Sequence, residues 1–285
     1  MFSDFPVILD GGTGSHLNAA GKSENMSSEQ FIMENPSVLV NLQKAYVEAG
    51  STVLMAPTFG ANRVNLKKFD YYGDMDALCK ELVELSRSAS DGKALIAGDI
   101  APTGLMPEPF GDTEDEFFFD VFRESASALE KAGVDLFAIE TQLVSAEAML
   151  ALKAVRSVSS KPVMMSFTVT ENGSTFFGEK ITDIWKIFKD EGLAAFGINC
   201  IGNLDALCSI IKDLAAVCDV PIIAKPNAGL PDSSSGTPVY NLEPATMGEY
   251  AVKLSKAGAK LIGGCCGTGP EHISAISAAL SNNAK

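Results

Sequence analysis

The chain has 285 residues, 46% of them hydrophobic and 20% charged, with a formal net charge of -14. Such a composition supplies a full apolar core, and the length suits either two domains or one α/β barrel of ~250 residues. The acidic balance argues against nucleic acid or an anionic membrane surface as a partner, and no apolar run approaches the ~20 residues that span a bilayer.

The start, MFSDFPVILDGG, has no basic segment and no cleavage signature, so a cytoplasmic location is expected, where thiols stay reduced. The first strand begins near Val7, in PVILDGG. A helix over 36–49 follows, with Asn35 as its cap and Pro36 in its first turn. Further strands are predicted to begin near Thr52, Ala94, Leu136, Val163, Ala195, Ile222 and Lys260, and helices over 117–132, 144–158, 204–216 and 244–257 lie among them. One phrase recurs: YVEAGSTVLMAPT, LEKAGVDLFAIET, FKDEGLAAFGINC and LSKAGAKLIGGCC. In each, a helix ends and a glycine follows (Gly50, Gly133, Gly192, Gly258), as a left-handed C-terminal cap requires. The apolar run after it suits a strand buried on both faces. The last helix opens in TGPEHISAISAAL, where Thr268 and Glu271 have capping-box spacing and Pro270 suits the first turn. Eight strands alternating with helices predict an α/β fold, a single (β/α)8 TIM barrel that uses residues 1–285 as one domain. A doubly wound open sheet is the alternative, but no G-x-G-x-x-G follows an early strand.

In such a barrel the chemistry sits at the C-terminal ends of the strands. Those ends carry Asp10-Gly11-Gly12, APTFGAN, Asp99, Glu140-Thr141, Asn199-Cys200, Lys225 and Asn227 in KPNAG, and Cys265-Cys266. Three of the six cysteines, Cys200, Cys265 and Cys266, therefore fall on one rim, whereas Cys79, Cys208 and Cys218 fall in helices or loops and read as structural. Three thiolates match a zinc site that keeps its fourth position open to substrate. Two other readings compete: small buried hydrophobes, and a reactive dithiol, although a disulfide between neighbours is strained and a reducing pool would open it. Only His16 and His272 are present, and both read as structural or surface residues, so histidine acid–base chemistry has little support. A zinc ion on thiolates would deprotonate a substrate thiol and keep it nucleophilic, which favours alkyl transfer to sulfur over hydrolysis. Asp10 and Glu140 could hold an ammonium, and the backbone N–H groups of residues 11–14 could hold a carboxylate. For either acid alone, a turn bond or a rim ion pair is an equal reading. A substrate with thiol, ammonium and carboxylate is an amino-acid thiol.

The ordered set ILDGGTGS, PTFGANR, APTG, FFGE, GINC, PNAGLP and GGCCGTGPEHI covers nearly the whole chain and resembles the homocysteine S-methyltransferase family. The resemblance implies a (β/α)8 barrel with zinc on Cys200, Cys265 and Cys266, and with homocysteine sulfur as the fourth ligand. It implies Asp10, Gly11, Gly12, Thr13, Glu140 and Asn227 as substrate-binding residues, with Lys225 a helper beside Asn227. The expected activity is methyl transfer to homocysteine by in-line displacement, giving methionine. PNAGLP followed by GTPVY is similar to the homocysteine domain of cobalamin-dependent methionine synthase, which makes methylcobalamin on a separate corrinoid protein the expected donor. DGG in place of DGA is closer to betaine or S-methylmethionine users, and Pro57 stands where a polar residue is usual. The aromatics of DEFFFDVF (115–122) could meet a corrinoid partner, with helix packing as their first use. A non-catalytic zinc-binding or thiol-sensing protein and a lyase using Lys225 are the rival readings.

Overall fold

The computed structural model describes residues 6–108, 110–232 and 238–283. In chain order the strands are β1 (Val7–Ile8), β2 (Val53–Met55), β3 (Leu95–Ile100), β4 (Leu136–Gln142), β5 (Val163–Phe167), β6 (Ala195–Asn199), β7 (Ile222–Lys225) and β8 (Ala259–Ile262). Helices α1 (Thr13–Ala19), α2 (Ser28–Glu34) and α3 (Pro36–Glu48) separate β1 from β2. Then come α4 (Arg63–Lys67), α5 (Met75–Ser90), α6 (Asp115–Ala132), α7 (Ser145–Val158), α8 (Ile181–Phe188), α9 (Leu204–Ala215), α10 (Pro244–Ala257) and α11 (Pro270–Asn283). From β2 to β8 each strand pairs in parallel with the next in sequence, and β1 pairs with β8. A parallel bridge from Leu9 to Val53 closes the ring, so the fold is the expected (β/α)8 barrel and not an open sheet. Among the described residues no helix is long and apolar enough to cross a membrane.

The four glycines of the recurring phrase all take positive φ: 110° at Gly50, 79° at Gly133, 67° at Gly192 and 122° at Gly258. Each turns the chain from an outer helix into an inner strand. The strands then sort their side chains by the two-residue period. Leu54, Ile96, Phe137 and Phe196 point outward into the large cluster shared with the helices. Val53, Ala97, Leu136, Ala138, Met164, Ala195, Ile223 and Leu261 point inward and fill the barrel. Within DEFFFDVF, Phe118 and Phe122 are fully buried in the outer cluster, as helix packing required.

The helix starts differ in detail from the sequence reading. Asn35 does cap α3 by position, but its side chain makes no cap bond and donates instead to the Phe31 carbonyl. Thr268 and Glu271 do not form a capping box. The Thr268 hydroxyl donates to the Cys265 carbonyl at 2.7 Å and accepts from the Gly12 N–H at 3.1 Å. The N–H of Gly269 goes to His272 Nδ1, and Pro270 opens α11 as expected. Ser27 and Gln30 supply a complete capping box at α2.

Inside the barrel, β6 and β7 press together at Gly197. A Cβ there would lie 2.1 Å from the Ile223 carbonyl oxygen and 2.6 Å from its nitrogen. Neither atom can swing aside, so Gly197→Ala is expected to lower stability by about 3 kcal/mol, read as a fall in the urea midpoint at unchanged slope.

Candidate functional site

Cys200 follows the last residue of β6 and takes φ 61°, outside the strand conformation. Its N–H donates to the Lys225 carbonyl at 3.0 Å. Cys265 and Cys266 lie in the loop after β8, where strand alternation has ended. Cys265 N–H donates to the Pro226 carbonyl at 2.7 Å, and Cys266 N–H to Asn227 Oδ1 at 3.1 Å. The glycines let this loop settle on the turn after β1. A Cβ on Gly12 would lie 2.4 Å from the Cys265 carbonyl oxygen, and one on Gly264 2.2 Å from Thr268 Oγ1.

The three sulfurs lie within 4.8 Å of one another, with Cys200 and Cys266 Sγ 3.7 Å apart. Two thiolates on one tetrahedral zinc are separated by ~3.8 Å, given Zn–S of ~2.3 Å, so this donor set fits the ion. The thiols already share charge. Hydrogen bonds from Cys200 and Cys265 hold the Cys266 pKa down, and the same contacts push that of Cys200 up. Cys79, Cys208 and Cys218 lie outside the cluster, as expected.

Below the sulfurs the inward positions turn polar. Continuing the period of each strand by two residues reaches Asp99 on β3, Glu140 on β4, Ser166 on β5 and Lys225 on β7, and on β6 a further step past Gly197 reaches Asn199. Lys225 Nζ lies 2.6 Å from Glu140 Oε2 and 3.8 Å from Asp10 Oδ1. Burial works against the lysine charge, but Glu140 and Asp10 outweigh it and raise its pKa. Burial lifts Asp10 to about 7 against the pull of Lys225, and burial with Glu140 lifts Asp99 well above the carboxylate range.

Gly11, Gly12, Thr13, Asp99, Glu140, Lys225 and the three cysteines all line one cavity of about 480 Å³. Two expected substrate residues do not line it. Asp10 is fully buried behind the wall, with Oδ2 accepting from Met55 N–H at 2.8 Å. The Oδ1 of Asn227 accepts from the Cys266 N–H. The N–H of Gly12 is spent on Thr268, so of the 11–14 backbone the part beginning α1 at Thr13 faces the cavity most freely. His16 contacts the Thr268 carbonyl, and His272 lies between Gly269 and the Leu242 carbonyl, so both are structural.

Several site residues were given no role by the sequence. Asn199 takes Thr141 N–H and Ser166 Oγ on its Oδ1, donates to Thr141 Oγ1 at 2.7 Å, and reaches Cys265 Sγ at 3.8 Å. Thr141 itself takes φ 61°, an unusual backbone for a β-branched residue. Glu29, on α2, is buried at the cavity wall and accepts from Gly60 N–H at 2.8 Å. Of the GTPVY segment, Gly236 and Thr237 lie outside the described residues, as do Met1–Phe5 of the start.

A sequence model of the homocysteine S-methyltransferase family matches residues 7–280. Methionine synthase of Mycobacterium tuberculosis is 28% identical over 304 aligned residues, covering 99% of this chain and 25% of that protein. Methionine synthase of Mycobacterium leprae is also 28% identical, over 86% of this chain and 21% of its own length. The chain thus spans about a quarter of the length of the curated relatives it matches. Two crystal structures of the Escherichia coli homocysteine methyltransferase MmuM share the fold. The oxidized form gives a TM-score of 0.83 and the metallated form 0.82, each at 24% identity over 97% of this chain and 96% of that one.

Burial raises the Glu29 pKa above its ordinary 4.5, so the folded chain holds that proton to higher pH than the unfolded chain does. Its contribution to stability is complete below the ordinary value and is lost as pH rises through the raised one. Glu29→Gln should therefore show a smaller drop in urea midpoint between about pH 5 and about pH 7.5 than the wild type.

Proposed function

The chain belongs to the homocysteine S-methyltransferase family, and from that membership we propose that it transfers a methyl group to the thiol of homocysteine, giving methionine. The observation that carries this reading is the convergence of three sulfurs from two strand ends above a buried acidic layer, on one cavity. Cys200, Cys265 and Cys266 would hold zinc, which when bound supplies deprotonation of a thiol and a sulfur that stays nucleophilic.

This chain's own residues do the rest. Asn199 and Asn227 fix Cys265 and Cys266 from behind, so the sulfurs are aimed before any ligand arrives. Glu140 supports the ammonium end of the amino acid from the cavity wall, with Asp10 acting through Lys225 behind it. The backbone of Gly11, Gly12 and Thr13 faces the carboxylate end. The acceptor sulfur attacks the methyl carbon in line: the S–C bond forms with the sulfur's electron pair, and the donor keeps the pair of the bond that breaks. No side-chain general base is required.

The donor we favour is methylcobalamin on a separate corrinoid protein, at work in the cytoplasm, with residues 1–285 serving as one homocysteine-binding barrel. The methionine synthase of Mycobacterium tuberculosis aligns over 99% of this chain. Phe59, Phe110, Phe176 and Leu230 stand exposed in the loops after β2, β3, β5 and β7, giving the cavity face an apolar rim suited to a protein partner. S-methylmethionine and betaine are the alternative donors. The lyase reading loses support from the ion pair, because a Schiff-base lysine needs a lowered pKa and Lys225 is held charged.

Cys200→Ala and Cys266→Ala are each expected to lose zinc and to reduce methionine formation to background. Full metal content with full turnover in either variant would end the proposal. In a donor screen with homocysteine, the corrinoid protein charged with methylcobalamin should outperform S-methylmethionine and betaine. Turnover with one of those small-molecule donors alone would reassign the donor.

A further inference from the structure

The phrase GTPVY ends in Tyr240, a described residue to which the proposed reaction gives no role. Its place in the loop after β7 is fixed from several sides. Val239 bridges back to Asp232. Leu242 donates its N–H to the Ala228 carbonyl at 3.1 Å, and its own carbonyl meets His272 Nε2 at 2.8 Å. Ala228 in turn donates to the Cys266 carbonyl at 2.9 Å, which ties this loop to the one that carries two of the clustered cysteines. The Tyr240 side chain lies against Gly267, which takes φ 77°: a Cβ on that glycine would lie 2.3 Å from Tyr240 Cβ and 2.3 Å from its Cγ. From there the hydroxyl forms a hydrogen bond with the Cys266 sulfur. Tyr240 does not line the cavity, so it meets that sulfur from outside it.

The direction of this bond follows from the chemistry of a loaded site. A thiolate that holds a metal has no proton to give, so the phenol donates and the sulfur accepts. Asn199 Nδ2 approaches the neighbouring sulfur, Cys265 Sγ, at 3.8 Å, so each of the two adjacent cysteines has a neutral donor of its own. The other phenol near the cluster, Tyr46, is engaged elsewhere, its hydroxyl held by the Gly12 and Thr268 carbonyls at 3.1 and 3.0 Å. Three thiolates bring more negative charge than a divalent ion neutralises, and a fourth sulfur would add to the excess. A neutral donor draws off part of that charge without displacing a ligand, and it fixes the direction in which the sulfur's lone pairs point.

We propose that Tyr240 is a positioning residue of the metal centre: its hydroxyl donates to Cys266 Sγ, holds that sulfur in its metal-binding orientation and lowers the charge it gives to the ion. The proposal rests on the zinc reading above and adds to it a residue from the loop after β7. It also accounts for Gly267, because any side chain there would displace the ring that carries the hydroxyl.

The test loads the full chain with cobalt(II) as a spectroscopic probe and measures zinc affinity by chelator competition, so neither readout depends on turnover. Tyr240→Phe keeps the ring over Gly267 and removes only the hydroxyl. It should move the sulfur-to-cobalt charge-transfer bands to lower energy, because a sulfur that has lost its hydrogen bond gives up charge more readily. Zinc affinity should fall about 10- to 100-fold. Gly267→Ala, which displaces the ring and leaves the hydroxyl in the chain, should shift the bands the same way. Bands that stay in place in a folded Tyr240→Phe overturn the proposal, even where the urea midpoint of the metal-free chain falls, since a packing role alone would do that. If Tyr240→Phe does not fold, unshifted bands in Gly267→Ala overturn it. Failure of both variants to fold assigns Tyr240 to packing and overturns it as well. If the wild type binds neither cobalt nor zinc, the zinc reading falls too. If the wild type binds both and Tyr240→Phe matches it, that reading stands and only the role of Tyr240 is lost.

Discussion

Side chains on a β-strand alternate between two faces, and in a closed barrel that alternation stacks the inward residues in layers. Here the deeper inward positions are apolar, at Ala97, Ala138, Met164, Ala195 and Ile223, and the inward positions toward the C-terminal strand ends are polar, at Asp99, Glu140, Ser166, Asn199 and Lys225. The polar layer is fixed by the strands rather than by loops, so its charges cannot drift toward solvent. Fixing them this way is costly, since an uncompensated buried ion costs about 3–5 kcal/mol. The Lys225–Glu140 pair at 2.6 Å is the compensation that the chain provides for itself. It gives the site a rigid electrostatic floor beneath the sulfurs.

The sulfurs need the opposite device, a departure from strand geometry. Cys200 leaves β6 with φ 61°, and Thr141 leaves β4 with the same angle. Both are strained choices for residues with a Cβ, and Asn199 bonds to Thr141 and reaches Cys265. One buried amide therefore couples two strained strand ends to the third thiol. On the other side, the glycine contacts between the β1 turn and the β8 loop let the backbone carrying Cys265 and Cys266 approach closely. The seam between first and last strands, where a barrel closes, is also where two of the three clustered cysteines, Cys265 and Cys266, are placed.

The barrel was legible because its grammar repeats: an amphipathic helix, a glycine of positive φ, then an apolar strand. The cysteine trio was legible because adjacent cysteines among glycines are placed beyond a strand, and strand ends meet at one rim. Asn199 and Thr141 were not, since their roles depend on a side-chain network across strands 58 residues apart. Asp10 and Asn227 were placed at the right strand ends, but which wall they face is set by packing. Asp10 turned to the Met55 N–H and Asn227 to the Cys266 N–H, both backbone donors that sequence spacing does not reveal. The capping box at Thr268 failed for a similar reason. Its hydroxyl had a long-range partner in Gly12, and a tertiary bond displaced the local one.

Charge accounts for why the two halves of the site belong together. Three thiols, three buried carboxyl groups and one lysine share a small volume, and they cannot all ionise there without counter-charge. Protons can supply it, which is why Asp10, Asp99 and Cys200 are all pushed upward. Cations can supply it as well, and the geometry sorts them by type. The sulfurs converge on a point and suit a soft divalent ion. The carboxylates do not converge and suit a group that donates several separate hydrogen bonds. An amino-acid thiol, the acceptor proposed above, would present its ammonium to the second set and its sulfur to the first. Each contact would replace a proton or an unpaired acceptor with a matched partner, so binding such a substrate would relieve the same electrostatic load that the polar side chains impose on the fold.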